Sequence, residues 1–458
     1  MQTKLHFFIS FFLLFVAGAQ SAMAQYAIAA KPWEEKYGNH RAVINIKKPA
    51  EVVSLQYGWR RPDKDVDKRK FLVINASTGD TVKNIERIEV NNERCHIRFG
   101  PVKQAGTYYF YYLPYEVQPG HGFYNKNYYP REETASADWL IKSRRLEKNV
   151  QNAKIVSIES RTGFDSFFPM EVAASAKEAA VYQKKFTSDF YLFPEDRKFP
   201  IRMREKLPLK WMNVKPGMAF KGQAQPNEYY AFQIGVWSPD TKITDIRYTA
   251  SALKTSNGNE IPAQAFTCLN TEGVDPYGKK FEKKLNISKG FVQPLWFGID
   301  IPKNQSPGIY KGTITIAGDK GVSKKVPVEL TVSGSDLADR GNSEPWRHSR
   351  LRWLNSTLGI SDEPIKPYTP VSFSNNQISV LGRNITVNPT SGLPRQIEAW
   401  NKPILSESIQ FIIETSKGIK QIPMQIKSSN STAGSVRLRL AGEDPDVLLE
   451  LHSISEFD

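Results

Sequence analysis

Cysteine is scarce in this chain: its 458 residues include only Cys95 and Cys268. Two cysteines in a chain of this length cannot form the disulfide framework that stabilises small secreted scaffolds. Because the two residues lie in different predicted domains, we expect two separate buried thiols. A single interdomain disulfide is the alternative.

Motifs for metal ions, phosphates and nucleotides are also missing. The six histidines show no ligand spacing with one another or with the cysteines: His6, His40, His96, His121, His348 and His452. The sequence contains no Gly-Lys-Ser/Thr phosphate loop, no dinucleotide fingerprint and no Gly-x-Ser-x-Gly elbow. We therefore predict no metal site and no cofactor.

Long hydrophobic runs are absent after the N-terminus, where residues 1–24 have the parts of an export signal. Lys4 provides the basic region, residues 7–19 are almost entirely apolar, and Ala22-Met23-Ala24 forms a small-x-small cleavage site before Gln25. The apolar run is too short to cross a bilayer comfortably. We expect cleavage near Ala24/Gln25, export to the periplasm or the extracellular space, and no transmembrane segment.

Basic residues exceed acidic ones, 62 to 47, which gives a formal net charge of +15. The basic residues are scattered among the acidic ones, and no recognised nucleic-acid motif accompanies them. We therefore expect a solvated basic surface and no nucleic-acid partner. The hydrophobic content of 40% is ordinary for a soluble globular protein.

Alternation of apolar and polar residues is the dominant pattern of the chain. It is clearest in residues 232–239, 293–302 and 306–316, where each run ends at Pro, Gly, Asn or Asp. Such runs predict half-buried strands joined by tight turns. Several of them at short spacing indicate two antiparallel sheets packed face to face. We predict a mainly β protein of tandem antiparallel β-sandwich domains, immunoglobulin-like or supersandwich-like.

Two short helices are predicted to interrupt the strands. The first has apolar residues at helical spacing, namely Ala135, Trp139, Leu146 and Val150. The second begins at a capping box in which the Ser175 hydroxyl and the Glu178 carboxylate each satisfy a backbone amide.

The chain is too long for a single core, and turn-rich connectors indicate where its predicted domains meet. From residue 371 the alternation resumes and continues to the end of the sequence with no closing strand, so we expect an incomplete last sheet. The predicted parts are a signal peptide at 1–24, an N-terminal β-sandwich with two helices at 25–200, a central β-sandwich at 201–335, a linker at 336–370 and a third β-sheet domain at 371–458.

Three groups of stretches resemble the N-terminal region of bacterial glycoside hydrolase family 123-like proteins. Residues 232–316 also resemble the sandwich that precedes the catalytic barrel in that family. The three groups are residues 37–43 with 59–61 and 111–115, residues 164–172 with 193–197 and 200–203, and residues 349–356 through 362–363.

The resemblance implies β-sandwich modules that precede a (β/α)8 barrel. In the family the barrel removes N-acetylhexosamine from glycans by a substrate-assisted reaction, with a Glu as acid/base and an adjacent Asp that orients the acetamido group. Such a barrel needs about 250 residues of alternating strand and helix, and no such pattern follows residue 362.

We therefore expect no (β/α)8 barrel, and whether this chain is itself an enzyme stays open. The resemblance favours an exported accessory region that supports hydrolysis of N-acetylhexosamine-containing glycans in a full-length parent. The alternative is a free-standing secreted β-sandwich protein that binds carbohydrate or a cell surface.

Asp362 and Glu363 have the order of the family's catalytic pair and are the candidates for catalysis. A catalytic acid needs a desolvated, positioned site that raises its pKa. The pair precedes Pro364 in a loop between predicted domains. We expect a solvated or arginine-paired turn there, with catalysis as the alternative.

Aromatic residues of the first predicted domain are the candidates for a glycan partner. A flat aromatic ring can stack on the apolar face of a sugar while polar neighbours bond its hydroxyls. Only about half of the residues on a strand can face solvent, so we expect core packing for most of these rings. The candidate carbohydrate contacts are Phe123, Tyr124, Tyr128, Tyr129 and Trp59.

Overall fold

The computed structural model of the protein describes residues 25–119, 124–146, 150–166, 170–445 and 447–456. The predicted signal at 1–24 and the candidate contact Phe123 lie outside these ranges. The chain forms two compact units. The first contains the described residues up to Gly273 together with Glu282–Arg352, and the second contains Val274–Phe281 and the described residues from Trp353 onward. The division at residues 200, 335 and 370 stays a prediction.

Two sheets at the start of the first unit form what we call the N-terminal sandwich. The five-stranded sheet has the spatial order Gln25–Ile28, Lys154–Ser160, His40–Ile46, Gly106–Tyr112 and Phe71–Asn75. The four-stranded sheet has the order Gln151–Asn152, Val53–Gly58, Arg94–Gly100 and Asn84–Val90. A separate hairpin pairs Tyr115–Pro119 with Tyr124–Tyr128.

The core of the N-terminal sandwich follows the two-residue period of its strands. In His40–Ile46 every second side chain is buried, beginning with Ala42 and Ile44. These residues share one hydrophobic cluster with Phe110 of the same sheet and Ile97 of the other sheet. Side chains of a strand alternate between its two faces, so the sequence pattern determines which residues enter this core.

Both predicted helices are present, but the first is shorter than its apolar spacing predicts: of Ala135, Trp139, Leu146 and Val150, only Trp139 lies inside it. The first, Ala137–Arg145, is capped by Ser136 and buries Trp139. The second, Ala176–Lys185, has the predicted capping box of Ser175 and Glu178.

The second pair of sheets in the first unit forms what we call the central sandwich. Its four-stranded sheet has the order Tyr191–Asp196, Tyr229–Trp237, Val292–Asp300 and Phe266–Cys268. Its larger sheet has the order Phe220–Ala224, Ser323–Val332, Gly308–Ala317, Leu253–Lys254 and Glu260–Ile261, with Arg247–Ala250 also paired to Gly308–Ala317. A two-stranded ribbon joins Glu272–Val274 and Lys280–Glu282.

Tyr229–Trp237 differs from the half-buried strand that its alternation predicts, because all nine of its residues are buried. One face packs in the core between the two sheets. The other face is covered by the segment that contains Ile201 and Trp211. The Ile201 amide donates to Gln233 Oε1 at 2.6 Å, and a Cβ at Gly235 would lie 2.6 Å from the Trp211 ring.

The second unit contains three small sheets. Its core includes Ile378, Val436, Leu438 and Leu440, as the alternation predicts. The five-stranded sheet has the order Ser372–Ser374, Gln377–Val380, Arg383–Val387, Pro394–Ala399 and Lys402–Pro403. The other two sheets are the ribbon Ile413–Thr415 with Gly418–Lys420 and the three strands Gln425–Ser431, Ser435–Asp444 and Val447–Glu456.

The fold is mainly β, as predicted, and the sheets of the described residues form no closed barrel. Most strand pairs are antiparallel, and three edge pairings are parallel. Cys95 and Cys268 are both buried free thiols, which confirms the preferred prediction. No helix within the described ranges has the length and apolarity needed to cross a membrane. The short 3-10 helices are Glu35–Tyr37, Val66–Lys68, Leu209–Asn213, Ala263–Ala265, Asp319–Gly321, Ala338–Gly341, Pro345–Arg347 and Ser349–Asn355.

Candidate functional site

A cavity of about 340 Å³ in the first unit combines polar groups with aromatic rings, and we call it the polar cavity. The segments that line it come from six separate parts of the chain between residues 39 and 202. The lining residues are Asn39, His40, Arg61, Asp63, Tyr112, Leu113, Tyr115, Tyr128, Phe164, Asp165, Glu171 and Arg202.

The turn after the strand Gly106–Tyr112 contributes buried groups to the cavity. Leu113 has a φ of +59°, and its carbonyl oxygen would lie 2.7 Å from a Cβ at Gly38, which itself has a φ of +87°. Only glycine allows this close approach. Beyond the turn, the Tyr115 hydroxyl lies 3.0 Å from Glu35 Oε1 and 2.5 Å from Asn39 Oδ1. Burial and the Glu35 hydrogen bond raise the pKa of Tyr115, so its hydroxyl stays a proton donor.

His40, Arg61 and Asp63 form a connected polar group in the cavity wall. His40 Nε2 lies 2.7 Å from the Asp165 carbonyl oxygen, and His40 Nδ1 lies 3.3 Å from Arg61 Nη1. Since a carbonyl only accepts and a guanidinium only donates, this geometry fits the neutral imidazole with its proton on Nε2. Arg61 Nη2 pairs with Asp63 Oδ2 at 2.5 Å. Burial lowers the pKa of Arg61, but the charge and hydrogen bond of Asp63, together with Tyr112 and Tyr57, outweigh it, and the net shift is upward.

The rim of the cavity carries an exposed ring beside an ion pair. Phe164 is 91% exposed and lies in a turn held by a 2.7 Å hydrogen bond from Thr162 Oγ1 to Asp165 Oδ2. Arg202 Nη1 donates to Glu171 Oε1 at 2.9 Å. A large apolar ring that faces water contributes little to the core, and the face of Phe164 stays open at the polar cavity.

The polar cavity has the chemistry of a binding site for a polar molecule with an apolar face. Its two ion pairs, Arg61–Asp63 and Arg202–Glu171, offer both donors and acceptors, and Phe164 offers a stacking surface. In the parts of the chain that the structure describes, no group of three or more His, Cys, Asp or Glu is placed to hold a metal ion.

The predicted aromatic contacts have different environments. Trp59 is only 2% exposed and packs 4.7 Å from the Tyr112 ring, so it is a core residue and has no face open to a sugar. Tyr128 lines the polar cavity, with its ring edge-on to Tyr115 at 5.8 Å. Tyr129 is half-buried, and Lys70 Nζ lies 5.8 Å from its ring. Tyr124 begins a strand, but its side chain, like the whole of Phe123, lies outside the described part of the chain.

Asp362 and Glu363 lie on the surface of the second unit. Both side chains are exposed, and the Glu363 amide donates to Ser361 Oγ at 3.0 Å. The Asp362 backbone packs on Gly434, where a Cβ would meet its carbonyl oxygen at 2.4 Å. These contacts are those of an exposed turn, without the desolvation that a catalytic acid needs.

Sequence reasoning missed most of the cavity residues because it considered only aromatic side chains of the first predicted domain as sugar contacts. Arg61, Asp63, Phe164, Glu171 and Arg202 were not proposed as contacts. A signal was nevertheless present, because ten of the twelve lining residues lie in the stretches that carry the family resemblance, at 37–43, 59–61, 111–115, 164–172 and 200–203.

Comparison with known families finds three matching regions. Residues 31–161 match the glycoside hydrolase 123 N-terminal domain, residues 267–318 match a second glycoside hydrolase 123 N-terminal domain model, and residues 371–458 match the glycoside hydrolase 123 third domain. No curated protein matches the chain.

Similar solved structures share only part of the fold. A family 123 glycoside hydrolase from Clostridium perfringens, described in a study of glycolipid glycan hydrolysis, is 18% identical over 32% of this chain and 27% of that chain, with a TM-score of 0.25. MyfA, the major subunit of Myf fimbriae from Yersinia enterocolitica, is 10% identical over 26% of this chain and 96% of that chain, with a TM-score of 0.19. The E. coli chaperone DraB is 11% identical over 51% of this chain and 93% of that chain, with a TM-score of 0.17.

The match therefore spans about a quarter (27%) of the length of the Clostridium perfringens enzyme. The three family matches follow one another along the chain and extend into both structural units. The chain belongs to the glycoside hydrolase family 123-like proteins, of which it contains N-terminal domains and the third domain.

Proposed function

We propose that this chain is the exported accessory, non-catalytic region of a glycoside hydrolase family 123-like protein and that its polar cavity holds a saccharide unit. The observation that carries the proposal is the exposed Phe164 ring beside the Arg202–Glu171 ion pair at the rim of the cavity. In this role the chain supports the hydrolysis of N-acetylhexosamine-containing glycans by a catalytic barrel in a full-length parent.

A saccharide matches the lining of the polar cavity. Its hydroxyl groups both donate and accept, so they can bond the carboxylates of Asp63 and Glu171 and the guanidinium of Arg202. The apolar face of its ring can stack on Phe164. The cavity volume of about 340 Å³ falls at the small end of the usual range for small-molecule sites, about 300–1,000 Å³.

The accessory role is supported by what the described residues form and by what they match. They form open sheets without a barrel, and eight of the twelve cavity residues fall inside the region that matches the family's N-terminal domain, residues 31–161. Export is supported by the basic start, apolar run and small-x-small site of residues 1–24.

A free-standing secreted protein that binds glycans is the second candidate, since the polar cavity lies within this chain and could serve either role. Sequencing of the adjoining downstream DNA separates the two. A barrel coding region in frame supports the accessory role. Retained glycan binding by a protein without such a region favours the second candidate.

Binding is tested by calorimetric titration of the mature chain, beginning at Gln25, with an oligosaccharide that ends in N-acetylgalactosamine. We expect Phe164→Ala to weaken binding about 2- to 12-fold, the equivalent of about 0.5–1.5 kcal/mol for a stacked ring. Arg202→Gln should weaken binding further, because it removes a charged donor and leaves Glu171 without its ion-pair partner.

Tyr277→Ala is the matched control, because Tyr277 is an aromatic residue that is 77% exposed and lies outside the lining of the cavity. It should bind like the unchanged chain. Equal losses in Tyr277→Ala and Phe164→Ala, or no loss in Phe164→Ala, would contradict a saccharide site in the polar cavity.

A further inference from the structure

The second unit exposes a tryptophan at a position where strand geometry favours another residue. Trp400 and Asn401 form the two-residue turn between Pro394–Ala399 and Lys402–Pro403, with φ values of +50° and +62°. Turns of this shape favour Asn, Asp and Gly, and a bulky residue at positive φ is disfavoured. The protein itself uses Asn375 and Asn376 in an equivalent turn, with φ values of +50° and +57°.

Packing does not explain this tryptophan. Its side chain is 77% exposed, and its ring packs over Gly382, where a Cβ would lie 2.9 Å from the ring. Gly382 belongs to the neighbouring turn, and its carbonyl oxygen accepts from the Trp400 amide at 2.8 Å. The two turns thus hold the ring in place while leaving much of it open to solvent.

A cleft of about 430 Å³ opens beside this ring. Its polar lining includes Ser372, Ser379, Asn384 and Asn401. Ser379 Oγ donates to Asn384 Oδ1 at 2.7 Å, which orients the Asn384 amide so that its N–H groups are the donors that remain. Hydroxyls and amides of this kind suit the hydroxyl groups of a sugar.

The positive charge of the cleft indicates the chemical class of its ligand. Arg383 is exposed and is the one ionised side chain among the described residues that line the cleft; no carboxylate lines it. A planar guanidinium forms paired hydrogen bonds with a carboxylate or a sulfate. The arginine and the tryptophan therefore suit a molecule that has both a ring face and a negative charge.

We propose that this cleft binds an acidic saccharide, one that carries a sulfate ester or a carboxylate. Trp400 stacks on the sugar ring, Arg383 pairs with the anionic group, and Asn384 and Asn401 bond the hydroxyls. The cleft lies in the second unit and is lined by none of the residues of the polar cavity. The proposal thus stands apart from the function proposed for the first unit.

Affinity electrophoresis of the mature chain at 150 mM salt tests this site. The gels contain chondroitin sulfate, which has sulfate and carboxylate groups, hyaluronan, which has carboxylate alone, or dextran, which is neutral. We expect retardation by one or both of the acidic polymers and none by dextran. Retardation by chondroitin sulfate alone identifies the sulfate ester as the recognised group, and retardation by both identifies the carboxylate.

Two variants and a control make the test specific. Arg383→Gln should weaken binding about tenfold, because it removes a hydrogen bond from a charged group that contributes about 1.5 kcal/mol. Arg395→Gln removes the same charge from an exposed position of the same sheet outside the cleft, and should change binding by less than about twofold. Equal losses in the two variants would show non-specific attraction to a chain of net charge +15 and would overturn the proposal.

Trp400→Asn separates binding from folding, because it installs the residue that the turn favours. We expect an unchanged or higher melting temperature together with a loss of binding of about 2- to 12-fold. Retained affinity would overturn the proposal, and so would a large fall in melting temperature. Sedimentation is measured alongside: an oligomer that dissociates in Trp400→Asn would assign the ring to self-association and would also overturn the proposal.

Discussion

Arg60 of the N-terminal sandwich binds the Glu178 carboxylate with both of its terminal nitrogens, Nη1 to Oε2 at 2.7 Å and Nη2 to Oε1 at 2.9 Å. The same carboxylate accepts from the Ser175 amide at 2.8 Å and completes the capping box of the helix Ala176–Lys185. One side chain thus both caps this helix and joins it to the N-terminal sandwich.

This arrangement predicts a pH-dependent contribution to stability. The Arg60 hydrogen bonds lower the pKa of Glu178 from an ordinary 4.5 to about 2. A carboxyl whose pKa is lower in the folded state stabilises the fold above its unfolded pKa and loses that contribution as pH falls through the folded pKa. We expect Glu178→Gln to cost about 0.5–1 kcal/mol at pH 7, since the pair is partly exposed.

Urea unfolding between pH 7 and pH 2 measures this effect. The difference between the unchanged chain and Glu178→Gln should shrink as pH falls from about 4.5 to about 2. Glu116→Gln, at an exposed position of the same unit, should show no such convergence. A difference that is constant with pH would contradict the role of the Glu178 charge.

Glu228 should be among the most sensitive positions in the central sandwich. It is 0% exposed, pairs with Arg197, and accepts from Arg347 Nη1 at 3.1 Å. Glu228→Ala would leave buried guanidinium groups without their counter-charge, and we expect a loss of about 3–5 kcal/mol in the free energy of unfolding.

Chemical denaturation tests this prediction, with Glu260→Ala as the control. Glu260 pairs with Lys254 at 3.2 Å, and both side chains are largely exposed, so its loss should cost less than about 1 kcal/mol. A cost below about 1 kcal/mol for Glu228→Ala would indicate that the arginines find other partners or water.

Gly235 is predicted to tolerate no side chain. A Cβ there would lie 2.6 Å from the Trp211 ring and 3.0 Å from Ile201 Cδ1, so Gly235→Ala should lower stability by about 1–3 kcal/mol through overpacking. Gly58→Ala is the control, because its Cβ would meet nothing closer than Arg60 Nε at 3.8 Å. Thermal unfolding of the two variants should differ clearly, and equal melting temperatures would contradict the tight packing of this face.

Cys95 and Cys268 should resist thiol reagents in the folded protein. Both are buried, and burial raises the pKa of each thiol, so neither accessibility nor thiolate content favours reaction. We expect almost no reaction with Ellman's reagent in native buffer and two thiols per chain in denaturant. Immediate reaction of the folded chain, or a disulfide detected by mass spectrometry, would contradict the assignment.

The accessory role predicts that the chain alone does not hydrolyse glycosides. Incubation of the mature chain with a chromogenic N-acetylgalactosaminide should give no release above buffer, and Glu363→Gln should behave identically, because Glu363 is exposed on a turn. Turnover that disappears in Glu363→Gln would overturn the accessory role and make Glu363 a catalytic acid.

Local signals predicted local structure well. The capping box of Ser175 and Glu178 was predicted because its two partners lie three residues apart, and the structure confirms it. The burial of Ala42 and Ile44, or of Val436 and Leu438, follows in the same way from the two-residue period of a strand.

The polar cavity could not be derived from periodicity, because its contacts join distant parts of the chain. His40 bonds Asp165 across 125 positions, and Arg202 bonds Glu171 across 31. Trp59 was predicted as a candidate sugar contact, but the packing of Tyr112 against it encloses the ring in the core. Aromatic residue type alone does not distinguish a core ring from an exposed ring such as Phe164.

The sequence by itself determined the β architecture, the capping box of the second helix and the family, because each depends on residues that are close together or on motifs that keep their order. Only the tertiary structure decided which polar groups meet at the cavity, that both faces of Tyr229–Trp237 are covered, and which aromatic rings reach water. Those outcomes depend on how separate strands and turns pack. The spacing of apolar residues within one segment does not indicate which distant segment packs against it.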